Sequence, residues 1–367
     1  MTTPAHPLAG IRVVDLTSNI AGPWASAVLA DLGAEVTHVE SPEGDDARSM
    51  APVTGSGSAY FHVANRNKRG ERLDIRDADD HRRLLELISQ ADVLVTNLRP
   101  PTLAKYGLDA AHLRQRHPRL IHAALSAYGR LGDEAARAGY DGVIQARTGI
   151  AAVTGTPEGP PVRAGVSILD VGAGTWLALG IISALYRREV TGEGCDVATS
   201  LLETGANWVG YHVVAQQVTG KASSRSGSGH PAFAPYGIYA TGDGAICLGI
   251  GGDRIYARMC EALDATDLST DPRYATNADR VAHAATLRGD LEAVLSTMTS
   301  REAIGRLTAL DVPADLVALP EDLLRDPQAQ ALGLLADVEI DGQRVRMPTL
   351  PLTFDGRRPT IDRGGPE

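Results

Sequence analysis

The chain has 367 residues, 43% of them hydrophobic and 22% charged, a globular composition on a length too great for one simple core. Its formal net charge of −10 excludes a general nucleic-acid binder, whose phosphate contacts need a basic face. Cys195, Cys247 and Cys260 form no CxxC pair and have no histidine at metal-ligand spacing, so free thiols in a reducing cytoplasm and no metal site are expected.

The start, "MTTPAHPLAGIRVVDL", has no basic region followed by an apolar one, so no signal peptide is expected. No uninterrupted apolar run reaches membrane-spanning length, so no membrane partner is expected either. The elements then alternate. "IRVVDL" reads as a strand, "GPWASAVLADLG" as a helix and "EVTHVE" as a strand. "ERLDI", the helix "DADDHRRLLELISQA", "DVLVTN" and "LIHAAL" continue the rhythm. Short apolar strands separated by amphipathic helices mean a parallel sheet covered by helices. A long helix from about Val171 to Arg188, the strand "GCDVATSL" and a helix through "NWVGYHVVAQQ" follow.

"TGKASSRSGSGHPAFAP" is Ser/Gly-rich and aperiodic, a loop or linker. Beyond it "YGIYATGDGAICLGI" reads as a hairpin turning on Gly-Asp-Gly, and helices run to about Ala309. "LADVEI" and "VRMPTL" close the chain as strands joined at Asp-Gly. The expected organisation is a large α/β domain over residues 1–220, a small domain over 221–315, and a C-terminal segment, 316–367, that returns to the large one.

Dinucleotide binding is disfavoured. Glu40 closes the second strand, where an acid could hold a ribose, but the first turn reads "TSNIAGP" and not G-x-G-x-x-G. Walker A, HExxH and G-x-S-x-G sequences are absent. Basic residues do gather in loops: Arg66, Lys68 and Arg69 before a strand, Arg99 after one, and Arg130 after the next. They are either solvated surface charges or cations converging on a polyphosphate at the rim of the sheet. Asp170, in "PPVRAGVSILDVGAGTWLALGIISALYRR", follows a short apolar run and opens a long apolar helix. It reads either as a helix cap or as a nucleophile.

The pieces "VVDLTSNIAGPWASAVLADLGAEVTHVESPEGDDAR", "NRNKRGERLDI", "DVLVTNLRP", "HPRLIHAALSAYG" and "GYDGVIQARTGIAAVTG", with the Asp170 stretch, "GSGHPAFAPYGIYATGDGAICLGIG" and "DPRYATNADRV", occur in this order over nearly the whole chain. Together they resemble the class III CoA-transferases (CaiB/BaiF type), a family that includes formyl-CoA transferase, carnitine CoA-transferase and α-methylacyl-CoA racemase. The resemblance implies an α/β fold with a large Rossmann-like parallel-sheet domain and a smaller α+β domain, in an interlocked homodimer. It implies CoA transfer from an acyl-CoA to a carboxylic acid, with no tightly bound cofactor and CoA present as substrate.

On this resemblance Asp170 is the nucleophile, passing through an aspartyl anhydride and an aspartyl-CoA thioester. Its place at a helix start is expected to favour the ionised, attacking form. Tyr140 and Asp141 are further candidate active-site residues. The racemase branch has a His where this chain has Tyr140, whose ordinary pKa is about 10, so transfer is favoured over racemisation or isomerisation. A non-catalytic acyl-CoA binder is the third alternative. The resemblance places Lys68, Arg69, Arg99 and Arg130 at or near the CoA phosphates, and Asn19, Ile20 and Ala21 along the pantetheine end near Asp170. Asn97 either contacts the ligand or caps its turn. Gly227 and Gly229 fall either in a lid over the reacting carboxylate or in an ordinary linker. Ile20 stands where formyl-CoA transferases have Gln, which argues against oxalate or formate as acceptor.

Overall fold

The computed structural model describes residues 6–367; part of the segment read as lacking a signal peptide lies outside the described residues. The chain begins β1 (Arg12–Leu16), α1 (Ala21–Asp31), β2 (Glu35–Glu40), α2 (Ala59–Ala64), β3 (Arg69–Arg72), α3 (Ala78–Ser89), β4 (Val93–Thr96), α4 (Pro100–Lys105), α5 (Ala110–Arg116) and β5 (Ile121–Ser126). It continues with α6 (Asp141–Thr148), α7 (Ile150–Val153), α8 (Ile168–Thr191), β6 (Asp196–Ser200), α9 (Leu201–Trp208) and α10 (Gly210–Thr219). The six strands form one parallel sheet in the order β3-β2-β1-β4-β5-β6. Strand order reverses between β1 and β4, the position where doubly wound sheets open a crevice at their carboxyl ends. β3 lies two residues earlier than the "ERLDI" expectation.

Alternation along the strands builds two apolar layers. Val13, Val93, Val95, Ile121 and Ala123 pack with Ala25 and Leu29 of α1 and with Leu177 and Ile181 of α8. Val14, Leu16 and Leu94 face the other way, onto Leu84 and Ile88 of α3 and Leu113 of α5. α3 forms because Leu84 and Ile88 recur on one face and Asp77 caps its first turn, accepting from the Asp79 and Asp80 N–H groups. α8 lies directly on α1 at Gly174, where a Cβ would stand 2.5 Å from the Ala21 carbonyl oxygen. That contact brings the first turn of α8 beside the β1–α1 turn. By length and composition α8 is apolar enough to cross a membrane, although Asp170 and Arg187 interrupt its apolar run. Half of its most apolar stretch is buried in the protein, because Leu169, Ala173, Leu177, Ile181 and Leu185 belong to the core.

A second compact unit comprises Gly220–Leu323 and also Ala151–Val162. It holds β7 (Tyr236–Ala240), β8 (Ala245–Gly249), α11 (Asp253–Ala262), α12 (Thr266–Thr270), α13 (Asn277–Ala282), α14 (Ala284–Leu295), α15 (Ser300–Ala309) and β9 (Ala314–Leu316). These strands form an antiparallel sheet over a core centred on Ile246, Leu248, Met259, Leu291 and Leu307. The first unit resumes at Leu324, with α16 (Pro327–Ala331) and the hairpin of β10 (Leu335–Ile340) and β11 (Gln343–Pro348). The early excursion Ala151–Val162 has no counterpart in the sequence reading, whose boundaries fall at 220/221 and 315/316; the return to the first unit lies at Leu324, later than the second of these.

Buried charge underlies the centre of the sheet. Lys68 Nζ donates to Asp15 Oδ2 at 2.8 Å, to the Pro23 carbonyl at 2.8 Å and to Asn65 Oδ1 at 2.7 Å. Burial alone would raise the Asp15 carboxyl, but Lys68 and His38, whose Nδ1 lies 3.0 Å from Asp15 Oδ2, hold it well below the usual carboxylate range. The expectation sets Lys68 at or near the CoA phosphates; direct contact is corrected, because its ammonium is enclosed and committed to these three acceptors. Lys68→Met leaves Asp15 buried without its cation and should lower the unfolding free energy by about 3–5 kcal/mol. Urea denaturation measures this, and a loss under about 1 kcal/mol, the range of an exposed pair, would contradict it.

Candidate active site

The turns at the carboxyl ends of β1, β4 and β5 enclose a cavity of about 520 Å³ in the first unit. Ser18–Ala21, Asn97–Pro100 and Leu125–Ala127 line it, with residues 135–140, Met50, Thr102, Asp170 and Leu201. The β1–α1 turn is held from two sides. Asn97 Oδ1 accepts from the Ser18 N–H at 3.2 Å, and Asn97 Nδ2 donates to the Ser18 carbonyl at 2.8 Å. Asn19 sits at φ 70°, a left-handed conformation Asn tolerates, and its N–H donates to Asp45 Oδ1 at 2.9 Å. Asn97 thus fastens a turn as well as lining the cavity. α1 has no side-chain cap at Ile20, which leaves its first N–H groups free at the cavity edge.

Asp170 occupies the first turn of α8, and no side chain of the Ser167 cap position serves that helix. The capping carboxylate belongs to Asp141: its Oδ2 accepts from the Leu169 N–H at 2.7 Å and from the Asp170 N–H at 3.4 Å. Burial, and then the negative charge of Asp141, push the Asp170 carboxyl up to about 7. The expectation that the helix start would favour the ionised form is therefore corrected. The donors that would have stabilised Asp170 serve Asp141, and desolvation decides the rest.

The remaining expected residues separate into two groups. Asn19, Ile20, Ala21, Asn97, Arg99, Tyr140 and Asp170 line the cavity. The Arg99 side chain makes no hydrogen bond or ion pair with the described residues, so its charge faces the cavity unspent. Asp141 is buried behind the lining. Lys68 is enclosed, as described above, and Arg69 lines a different cleft with Arg363 and Glu339. Arg130 turns back along the edge strand β6 to pair with Asp196 through both guanidinium NH2 groups, and so does not reach the cavity. Burial alone would raise the Asp196 carboxyl, but hydrogen bonds from His122 and Arg130 bring it down to about 2.

Gly227 and Gly229 belong to the second unit. There the Gly227 N–H donates to the Gly155 carbonyl at 2.9 Å, and Arg225 Nε donates to the Thr156 carbonyl at 3.0 Å. Their loop is fastened to the excursion 151–162. Glu40, the residue considered for a ribose, is also committed: Arg48 pairs with both of its oxygens and the Asp45 N–H donates to it.

The sequence reading missed Arg137, which lines the cavity, stacks over the Tyr128 ring at 4.9 Å and pairs with Glu134. The stretch "DEAARAGY" was available as a signal: a lone cation just before Tyr140, in a short Ala-rich loop. It also missed Met50 and Leu201, which reach the cavity from distant elements.

The model of CoA-transferase family III matches residues 8–367. The succinate–glutarate CoA-transferase of Agrobacterium fabrum is 34% identical over 97% of this chain and 93% of its own length. The acetyl-CoA:oxalate CoA-transferase of Acetobacter aceti is 34% identical over 99% and 94%. The crystal structure of a CAIB/BAIF family protein from Brucella suis superposes with a TM-score of 0.89 at 34% identity, covering 98% of this chain and 96% of that one. With a cavity at the switch point of the sheet and one carboxylate facing into it, this chain belongs to CoA-transferase family III and is an enzyme of CoA transfer.

Proposed function

We propose that the enzyme moves CoA from an acyl-CoA to a short dicarboxylic acid through covalent intermediates on Asp170. The observation that carries this reading is that Asp170 is the one carboxylate among the described residues lining the cavity. Ionised Asp170 attacks the thioester carbonyl carbon, the C–S bond breaks, and CoA thiolate leaves a mixed anhydride. The thiolate attacks Cγ of Asp170, expels the donor acid and forms an aspartyl-CoA thioester. The acceptor carboxylate then attacks Cγ and releases the thiolate again. Attack of the thiolate on the acceptor's acyl carbon yields the new thioester and restores Asp170. No proton is gained or lost over the cycle, and one acceptor oxygen remains on Asp170.

Arg99, with its unspent charge, suits the CoA diphosphate. A second cavity of about 460 Å³, sharing Ser18, Asn97, Leu98 and Thr102 with the first, gives room for the adenosine end. Ile20, Met50, Leu125 and Leu201 give the acyl side an apolar wall. Arg137 supports a second carboxylate on the acid, consistent with the dicarboxylic acids named for the two relatives. Racemisation has less support, because Tyr140 stands where a second base is required and no histidine lines the cavity among the described residues.

The same first unit exposes Trp176, Leu179, Tyr186 and Val190 on α8, and Tyr211, Val214 and Val218 on α10. This much apolar surface supports a homodimer, interlocked as the resemblance implies. Sedimentation over a wide concentration range should show a dimer that does not dissociate; a folded monomer at low concentration contradicts interlocking.

Asp170→Ala should abolish exchange between succinyl-CoA and glutarate, by about 10³-fold or more, and retained activity would sink the mechanism. Because the ionised form attacks and its pKa lies near 7, kcat/KM for acyl-CoA should climb with pH up to about 7 and then level off; a profile flat from pH 5 to 8 contradicts this. Arg137→Ala should raise KM for glutarate about tenfold while leaving KM for valerate, a monocarboxylate of the same length, within about twofold. Equal changes for the two acids would remove Arg137 from acceptor recognition.

A further inference from the structure

Gln145 does not line the cavity and is fully buried, yet its two amide ends join the two segments that set the position of Asp170. One turn along α6 from Asp141, its Nε2 donates to Asp141 Oδ1 at 2.5 Å. Its Oε1 accepts from the Ala164 N–H at 2.8 Å, in the strand of chain that enters α8. Asp141, through its other oxygen, holds the Leu169 and Asp170 N–H groups. One side chain therefore fixes the carboxylate that caps α8 and also the approach to that helix.

We propose that Gln145 is a positioning residue of the transfer reaction, holding Asp141 against the start of α8 and thereby fixing where Asp170 stands and what charge it faces. Removing the amide leaves an Asp141 oxygen and the Ala164 N–H without their buried partners, and each such loss costs about 1–3 kcal/mol. The inexpensive escape is for Asp141 to turn toward water and for residues 163–167 to shift. Either movement uncaps α8 at the turn that carries Asp170. The other charged or titratable groups that line the cavity with Asp170 are Tyr140 at the start of α6, Arg137 in the loop before it and Arg99 before α4. None of them holds the Leu169 or Asp170 N–H, so none can replace Asp141 in the cap.

The proposal rests on Asp170 as the reacting group, and its test is separable from that reading because the titration of Asp170 is followed without substrate. In full-length protein carrying aspartate labelled with carbon-13 at Cγ, the Asp170 signal is assigned by its loss in Asp170→Asn. The expected midpoint in the unmodified enzyme is about 7. Gln145→Met should lower it by about one unit, because the charge of Asp141 moves away. It should also lower kcat about 10- to 100-fold with KM for succinyl-CoA within about twofold. In an Asp141→Asn background the same substitution should shift the midpoint no further, since its route of action is gone.

An unchanged midpoint in folded Gln145→Met overturns the proposal, as does a full additional shift in the Asp141→Asn background. Gln145→Asn keeps the amide but is too short to reach both partners, and should reproduce the effect if Gln145→Met does not fold. Failure of both variants to fold also overturns the proposal, because Gln145 would then serve the fold as a whole. Full CoA-transfer activity in Asp170→Ala, with the Gln145 variants shifting the midpoint as expected, would instead count against the nucleophile reading alone.

Discussion

The carboxylate of Asp141 at the start of α8 is the contact on which the geometry of the site depends. A helix of this length presents several free N–H groups at its first turn, and they must find acceptors. Here the acceptor is a side chain from another helix, positioned by Gln145, while the cap residue Ser167 contributes no side chain. Two consequences follow for Asp170. It is excused from capping, so its carboxylate is free to face the cavity, and it stands beside a like charge in a partly desolvated place. A carboxyl pushed up to about 7 is a stronger nucleophile once ionised than one of ordinary acidity, and at neutral pH a substantial fraction of it is ionised.

Close approach and buried charge support that arrangement from below. Gly174, one turn beyond Asp170, lets α8 touch the backbone of α1 at Ala21. Any side chain there would separate Asp170 from the turn that carries Asn19 and Ile20. That turn is fastened by Asn97 just after β4 and by Asp45 from beyond β2. Beneath it, Asp15 at the end of β1 gathers Lys68, His38, Thr17 and Ser26 into one hydrogen-bonded group. The cavity therefore stands at the switch point of the sheet on a rigid base, which is what the proposed covalent route through Asp170 would require of its nucleophile.

Much of this was legible in the sequence. The parallel sheet, the two hairpins and the long helix follow from periodicity, and Asp170 drew notice because a charge at the head of an apolar helix needs a reason. The cations were not legible in the same way. Lys68, Arg69, Arg99 and Arg130 look equivalent in a loop-by-loop reading, yet Lys68 is claimed by Asp15, 53 residues away, and Arg130 by Asp196, 66 residues away. Partners at such separations leave no local trace. The acidity of Asp170 was misread for the same reason. The helix dipole is a local feature, whereas the competing carboxylate of Asp141 arrives from 29 residues upstream. Arg137 was overlooked because its importance comes from a loop folding back over Tyr128, not from any spacing.

The central claim is that Asp170 itself enters the reaction, and oxygen transfer tests it most directly. If an acceptor acid labelled with heavy oxygen is turned over repeatedly with succinyl-CoA in ordinary water, each cycle leaves one acceptor oxygen on Asp170 and the departing acid removes one. Mass spectrometry of the digested enzyme should then find heavy oxygen in the peptide containing Asp170, confined to its side chain and absent when the acyl-CoA is omitted. Efficient turnover with no heavy oxygen in that peptide would contradict an anhydride on Asp170.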